Sequence, residues 1–398
     1  MLTLERAKAS PLQVSFMGEG CTSPCVPVPY IQNIGTLSFI DLITIEALRQ
    51  ALPGFPQSTP NLRSLKLRQA RRAVLDRSID PFELLTPTLG HLELFGVPLY
   101  PSILRLRSLT AFAYACVGLD LHLDTLLDFL EENHSLNRVD LGIVFVGRPL
   151  HRLRRRTPTK NQLQHLTVHC LGTIPDAQRL ISGIGLQKGA CLNVLNRTGT
   201  TLNDILSGIS PAHLLNTRVP TLMEYRSYPR KIRSIGPNGE FILQNKLILD
   251  VDDPFVEFPL LSLSHVQEFR LFHRVPKDEH HTINPIVFDQ SLFPALEILA
   301  VDCGTSISHL LSALFSNPSS PPLLKTLAFL NCDLDEDFMK ELKRYASDRK
   351  GTTSALLHRV VIVNLDGTFP RVSSIHELGK YVPVIDVRLG AELPRDLS

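Results

Sequence analysis

Arg148, Arg152, Arg154, Arg155, Arg156 and Lys160 fall within thirteen residues that also hold His151 and no acid, the densest run of one chemistry in the chain. Cations at that spacing suit a nuclear-import signal or a patch that contacts phosphate, and they suit a solvated loop between two strands equally well. Thr157, followed by Pro158, fits a phosphorylation site whose charge would offset part of the run. A second basic stretch runs from Arg63 to Arg72 and includes Lys66 and Arg68.

Other groupings imitate reactive sites but fail at a required position. Gly183-Ile184-Gly185 begins a dinucleotide fingerprint, yet its third glycine should stand at position 188, which is Lys188, so a turn after a helix is the better reading. Asp333, Asp335 and Asp337 imitate a calcium loop, but Phe338 replaces its glycine and Arg344 its final glutamate. His376-Glu377 opens a zinc-protease motif in which Lys380 stands where the second histidine belongs. Cys21 and Cys25 have no partner pair. His165 and His169 share one face of a predicted strand, about 13 Å apart at roughly 3.3 Å per residue, too far to chelate one ion. No nucleophile has a base assigned to it by spacing. The expectation is a non-enzyme without metal or cofactor.

Composition bounds the rest. Hydrophobic residues make up 43% of 398 and charged residues 20%, which permits a large buried interior and argues against bulk disorder. A net charge of +2 gives no ground for wholesale nucleic-acid or membrane binding. Seven cysteines without paired spacing read as reduced thiols in an apolar core, which points to an intracellular setting, cytoplasm or nucleus. The start of the chain carries Glu5, Arg6 and Lys8 and lacks an apolar signal-peptide core, and no run approaches eighteen apolar residues, so no membrane association is expected.

The elements that position these residues follow from a repeat. Leu324 to Leu334 spells the pattern L-x-x-L-x-L-x-x-N/C-x-L through Leu324, Leu327, Phe329, Cys332 and Leu334. Apolar residues recur at its first, fourth and sixth positions in Ile34-Leu37-Phe39, Leu62-Leu65-Leu67, Leu89-Leu92-Leu94, Leu109-Phe112-Tyr114, Leu136-Val139-Leu141 and Leu163-Leu166-Val168. They continue in Leu192-Leu195, Leu222-Tyr225, Val266-Phe269-Leu271, Leu296-Leu299-Val301 and Leu357-Val360-Ile362. Most intervals are 27 to 30 residues. Pro60, Pro87, Pro220, Pro294 and Pro322 each stand two residues before a first position, where proline cannot continue a helix and suits a strand entrance. Between the strands, Asp124 is expected to cap a helix bearing Leu126, Leu127 and Leu130, and Asp335 one bearing Phe338, Leu342 and Tyr345. Ile307, Leu310, Leu311 and Leu314 make a similar stripe.

The expected architecture is an α/β leucine-rich-repeat solenoid, a horseshoe of about 11–12 degenerate repeats, with parallel strands on the concave face and helices on the convex face. Residues 1–33 form an N-terminal helix and strand cap, and 34–398 the repeats. An irregular insertion occupies 231–262, with a hairpin turn at Gly236-Pro237-Asn238-Gly239 and a decayed copy around Leu247 to Val251; a C-terminal cap occupies 368–398, with a last strand over Val384 to Leu389.

With the repeats in place, the opening Leu4-Glu5-Arg6-Ala7-Lys8-Ala9-Ser10-Pro11-Leu12-Gln13-Val14-Ser15-Phe16 resembles the segment that begins the repeat region of the F-box leucine-rich-repeat proteins of mushroom-forming fungi. Leu48 to Leu67, ending T-P-N-L-R-S-L-K-L, is similar to the same family. The resemblance implies recruitment of a protein substrate for ubiquitylation. In that family a three-helix F-box, which docks on the adaptor of a cullin-RING ligase, precedes this segment; here Met1 falls where it would already have ended, so adaptor binding is expected only if an F-box lies upstream. The tryptophan common before Leu-Glu-Arg in the family is absent, because the chain has none.

Strand side chains alternate, so positions three, five and seven of each copy point away from the core. These nominate Ser64, Lys66 and Arg68; His91, Glu93 and Phe95; Arg138 and Asp140; His165, Thr167 and His169; Glu268, Arg270 and Phe272; and Asp302. About twelve strands roughly 4.8 Å apart make a ribbon on the order of 55 Å long, ample for a protein partner. Its mixed charge and exposed aromatics suit a protein better than a polyanion. The first reading is therefore a protein-interaction scaffold, and the alternative a phosphate- or nucleic-acid-binding protein that uses residues 148–160 and the Arg63–Arg72 stretch. If residues 148–160 carry a nuclear-import signal, replacing Arg154 to Arg156 with alanine moves a fluorescent fusion from nucleus to cytoplasm, and an unchanged distribution counts against that role.

Overall fold

Strands begin where a turn has just closed. The N–H of Leu62, Leu136, Val266, Leu296 and Leu324 donates to the carbonyl three residues back, on Thr59, Asn133, Leu263, Phe293 and Pro321, at 3.0–3.3 Å. Pro60, Pro294 and Pro322 hold the second position of three of these turns, where a fixed φ is favoured and no N–H is required. The recurrent proline is thus a turn residue rather than a strand residue.

The structure is a computed structural model that describes residues 11–17, 32–40, 59–68, 88–97, 99, 101–117, 123–144, 163–170, 174–184, 186–187, 189–196, 220–226, 231–237, 239–245, 263–272, 290–302, 307–317, 321–352, 356–365 and 369–390. It divides into two units, Met1–Val194 and Leu195–Ser398. The expected N-terminal helix, the copy around Leu247 to Val251, Pro87, Cys21, Cys25 and the whole run from Arg148 to Lys160 lie outside the described residues.

The first unit holds strands β1 (Leu12–Met17), β2 (Ile34–Ile40), β3 (Ser64–Arg68), β4 (His91–Phe95), β5 (Ala111–Val117), β6 (Arg138–Val144) and β7 (His165–Cys170), with β8 (Cys191–Asn196) at its end. Each pairs with its neighbour in chain order, and the pairs from β1 to β7 are parallel. Helices α1 (Pro101–Leu104), α2 (Leu123–Glu132) and α3 (Ile174–Gly183) lie between strands in sequence. The core is the expected set except for Leu67, which is half-buried: Leu37, Phe39, Leu65, Leu92, Leu94, Phe112, Tyr114, Val139, Leu141, Leu166 and Val168 are buried, as are Leu126, Leu127 and Leu130 of α2. Phe112 meets Phe129 of α2 edge-on at 4.9 Å.

The carbonyl just before each strand accepts two N–H groups from the next copy. Arg63 O takes Gly90 and His91, Gly90 O takes Thr110 and Ala111, Thr110 O takes Asn137 and Arg138, and Asn137 O takes Gln164 and His165, all at 2.8–3.2 Å. Hydroxyls add a second rail: Thr88, Ser108 and Ser135 donate to the carbonyls of Leu62, Leu89 and Leu109, at 3.4, 2.8 and 3.0 Å. Each of these sits immediately before the first leucine of its copy.

The second unit contains β9 (Leu222–Arg226), β10 (Lys231–Gly236), β11 (Gly239–Asn245), β12 (Glu268–Phe272), β13 (Ile298–Asp302), β14 (Thr326–Leu330), β15 (Arg359–Asn364) and β16 (Val384–Leu389). Their order is β11-β10-β9-β12-β13-β14-β15-β16, antiparallel in the β9-β10-β11 segment and parallel beyond it. The hairpin stands where Gly236 and Gly239 predict it, with Gly239 at φ 144°, and the expected last strand is β16. Helices α4 (Ile307–Ser316), α5 (Glu336–Thr352) and α6 (Val372–Leu378) complete the unit. Asp335 caps α5 as expected, its Oδ1 accepting from the Phe338 N–H at 2.7 Å. Among the described residues no helix is long and apolar enough to cross a membrane.

Four expectations need correction. Leu192 and Val194, rather than Leu192 and Leu195, are the buried pair of β8. Leu222 pairs with Glu268 and faces outward, so the buried pair of β9 is Met223 and Tyr225, and Pro220 occupies the first position of that copy instead of preceding it. Both copies lack an apolar sixth residue in the register assumed from sequence, which is what would have fixed their alignment. Asp124 lies inside α2 rather than before it. Finally, β13 and β14 are buried at every residue, so their two faces are both covered, and Ile298, Ala300, Ala328, Leu330, Val361 and Val363 form an apolar cluster on the side where exposed residues were expected.

The copy with the best consensus is anchored from the helix that follows it. Arg349 of α5 is fully buried; its Nη1 donates to Pro321 O at 3.1 Å and to Tyr345 Oη at 3.2 Å, and its Nη2 to Leu324 O at 2.9 Å. Burial pushes the Tyr345 phenol up to about 12 against the opposing charge of Arg349. Arg349→Leu keeps most of the bulk but removes all three of these buried charge-assisted bonds, so it is expected to lower stability by about 3–5 kcal/mol, read as a shift of the urea midpoint at constant slope. A loss below about 1 kcal/mol would mean the bonds are replaced by water.

Candidate functional site

The parallel register of the first unit aligns outward residues into rows. Ser64, His91, Ala111, Arg138 and His165 form one; Lys66, Glu93, Ala113, Asp140 and Thr167 the next; Arg68, Phe95, Ala115, Gly142 and His169 the third. Read across the strands, β5 contributes an alanine to every row. Between the longer side chains of β4 and β6, two strand spacings or on the order of 10 Å apart, that alanine column leaves a depression. It has a volume of about 400 Å³ and is lined by Lys66, Arg68, His91, Glu93, Phe95, Ala111, Phe112, Ala113, Arg138 and Asp140.

Glu93 organises one side. It is only 7% exposed, and a buried carboxylate must be paired. Arg68 Nε donates to its Oε1 at 2.9 Å, and Lys66 Nζ lies 3.3 Å from Oε2. Burial alone would raise the Glu93 pKa, but the hydrogen bond from Arg68 and the charge of Lys66 outweigh it and hold the carboxyl below its ordinary value. The Arg68 guanidinium also stacks over Phe95, 5.0 Å from the ring centroid, and Phe95 keeps 38% of its surface exposed. On the other side, His169 Nε2 is 2.9 Å from Asp140 Oδ1. His91 has its pKa lowered by burial first, then by the charges of Lys66 and Arg138, with Glu93 opposing. The Arg138 side chain is exposed and has no hydrogen bond or ion pair among the described residues.

Seven sequence candidates, Lys66, Arg68, His91, Glu93, Phe95, Arg138 and Asp140, therefore converge on one depression. His169 joins them through Asp140, while His165 and Thr167 stand on the same face of β7 outside the lining. Arg63 is exposed before β3, and residues 69–72 are outside the described set. Ala111 and Ala113 were not candidates; three alanines at alternating positions, 111, 113 and 115, are the signal that could have found the groove.

The second unit has its own charged cluster. Glu224, 7% exposed, lies 3.3 Å from Arg233 Nη1 and 3.7 Å from Arg270 Nη1. Arg233 Nε reaches Glu240 at 2.5 Å, Arg270 Nε reaches Glu268 at 2.5 Å, and Arg226 stacks over Phe272 at 4.7 Å. The candidates Glu268, Arg270 and Phe272 belong here, together with Glu224, Arg226 and Arg233, which were not candidates. Asp302 is 3% exposed and is not a surface residue. Among the described residues no group of three or more His, Cys, Asp or Glu could hold a metal ion.

No protein-family model matches the chain, and no curated protein matches it in sequence. The chemistry of this face must therefore be read from its own residues.

The lowered pKa of Glu93 sets a pH dependence. The unfolded chain protonates this group near 4.5 and the folded one lower, so its contribution is complete above 4.5 and is lost as pH falls through the depressed value. Glu93→Gln is expected to flatten the fall in stability below pH 4.5 by up to one proton, about 1.4 kcal/mol per pH unit, in urea midpoints measured across that range. Parallel curves for the two proteins would show that the carboxylate is not held as described.

Proposed function

We propose that the chain is a leucine-rich-repeat protein that recognises another protein through the outward face of β3–β7, as the substrate-recognition part of an F-box-type ubiquitin-ligase receptor. The observation that carries the binding reading is the depression over β5. It combines an exposed aromatic, paired charges and a floor of small residues, the composition of a protein-binding surface rather than of a reactive centre. The ligase part rests on the resemblance of the Leu4–Phe16 and Leu48–Leu67 segments to the fungal F-box family.

The alternative, a phosphate- or nucleic-acid-binding face, is less favoured by the charge arrangement. Lys66 and Arg68, two of the cations it would use, are already committed to Glu93. A polyanion would have to compete with that carboxylate.

Ala113→Arg fills the depression from a position that faces away from the core. Affinity purification of the tagged full chain from its source cells is expected to recover a protein that the Ala113→Arg variant does not, with thermal melting unchanged. Equal recovery would overturn the assignment of this face. Cullin-RING subunits among the recovered proteins support the ligase role.

A further inference from the structure

We infer that the depression over β5 takes the carboxylate side chain of an acidic, extended peptide segment, with Arg138 and His91 as the groups that receive it; this rests on the protein-recognition reading above. His91 and Arg138 share a row and flank Ala111. Two strand spacings separate their backbones, on the order of 10 Å, so both side chains reach a group placed above the alanine. Arg138 is the one lining cation without a hydrogen bond or ion pair among the described residues, and its fork matches a carboxylate in two parallel bonds.

Charge selects the ligand. Lys66, Arg68 and Arg138 face Glu93 and Asp140 in the lining, which leaves one unit of positive charge while the histidine is neutral. One unit is answered by a monoanion. A phosphate dianion would bring a second negative charge beside Glu93 and Asp140, and among the lining residues only a protonated His91 would be left to meet it. A backbone laid along the alanine column meets no side chain beyond Cβ at Ala111, Ala113 and Ala115, so an extended strand fits where a helix, about 10 Å across, fills the whole width.

The groups that face His91 are Lys66 from β3, Glu93 from its own strand and Arg138 from β6, with Ala111 between. Burial first, and then the two cations, disfavour its protonation in the free protein. A bound carboxylate relieves that, so binding takes up a proton and tightens as pH falls.

The test uses the full chain and three sets of displayed ten-residue peptides, identical except for a central Glu, Gln or phosphoserine. The Glu set is expected to bind at least tenfold tighter than the Gln set, the preference to vanish in Arg138→Ala and return in part in Arg138→Lys. Binding of the Glu set is expected to tighten from pH 7.5 to 5.5 in the unaltered chain and much less in His91→Gln. Equal affinity for Glu and Gln sets overturns the inference, as does preference for phosphoserine, which would mark a dianion site. If Ala113→Arg abolishes partner recovery while Glu and Gln peptides bind alike, the protein-recognition reading stands and only the carboxylate falls; if neither holds, both fall.

Discussion

The doubly accepting carbonyl at the entrance to each strand is the constraint on which the rest of the molecule depends. Arg63, Gly90, Thr110 and Asn137 in the first unit each bind two consecutive N–H groups of the following copy, and Thr221, Gln267, Glu297 and Lys325 do the same in the second. One acceptor shared by two donors fixes both translation along the strand and the identity of the inward residue. A slip of one residue would exchange the core with the surface. Because loops of very different length can enter the same lock, the interval of 20 residues before Leu109 is tolerated as well as those of 27.

That register also explains why both units carry a nearly buried glutamate on the outward side. Glu93 and Glu224 each lie between two cations drawn from different strands or different rows. An ion pair with half-exposed partners contributes little by itself. Its effect is positional: it holds long, flexible lysine and arginine side chains upright and apart. In each unit an arginine on the outward side stacks on the phenylalanine of the neighbouring strand, Arg68 on Phe95 and Arg226 on Phe272. A face ordered in this way loses less side-chain entropy when something binds.

Much of this was legible in the residues because the two kinds of information are separable. Leucine spacing told which residues enter the core, and alternation told which do not, so Lys66, His91, Glu93, Arg138 and Asp140 could be named without coordinates. Which of them touch could not, since Glu93 finds Arg68 twenty-five residues away only through the strand register. Alternation also says which side a residue faces and not whether that side meets water, and Asp302 on the doubly covered β13 is the instance. The alanines were overlooked because their contribution is an absence of atoms. The role of the basic run at 148–160 lies outside the described residues.

The alanine column separates the outward surface of β5 from what keeps the chain folded. Phe112 and Tyr114, which alternate with those alanines, are packed into the core, where Phe112 meets Phe129 of α2. The alanines themselves carry almost none of that packing. Related chains could therefore lengthen side chains along this one strand, and change the shape of the face, without renegotiating their stability. A fold arranged in this manner is suited to diversification, in which one scaffold is re-cut many times at a single seam.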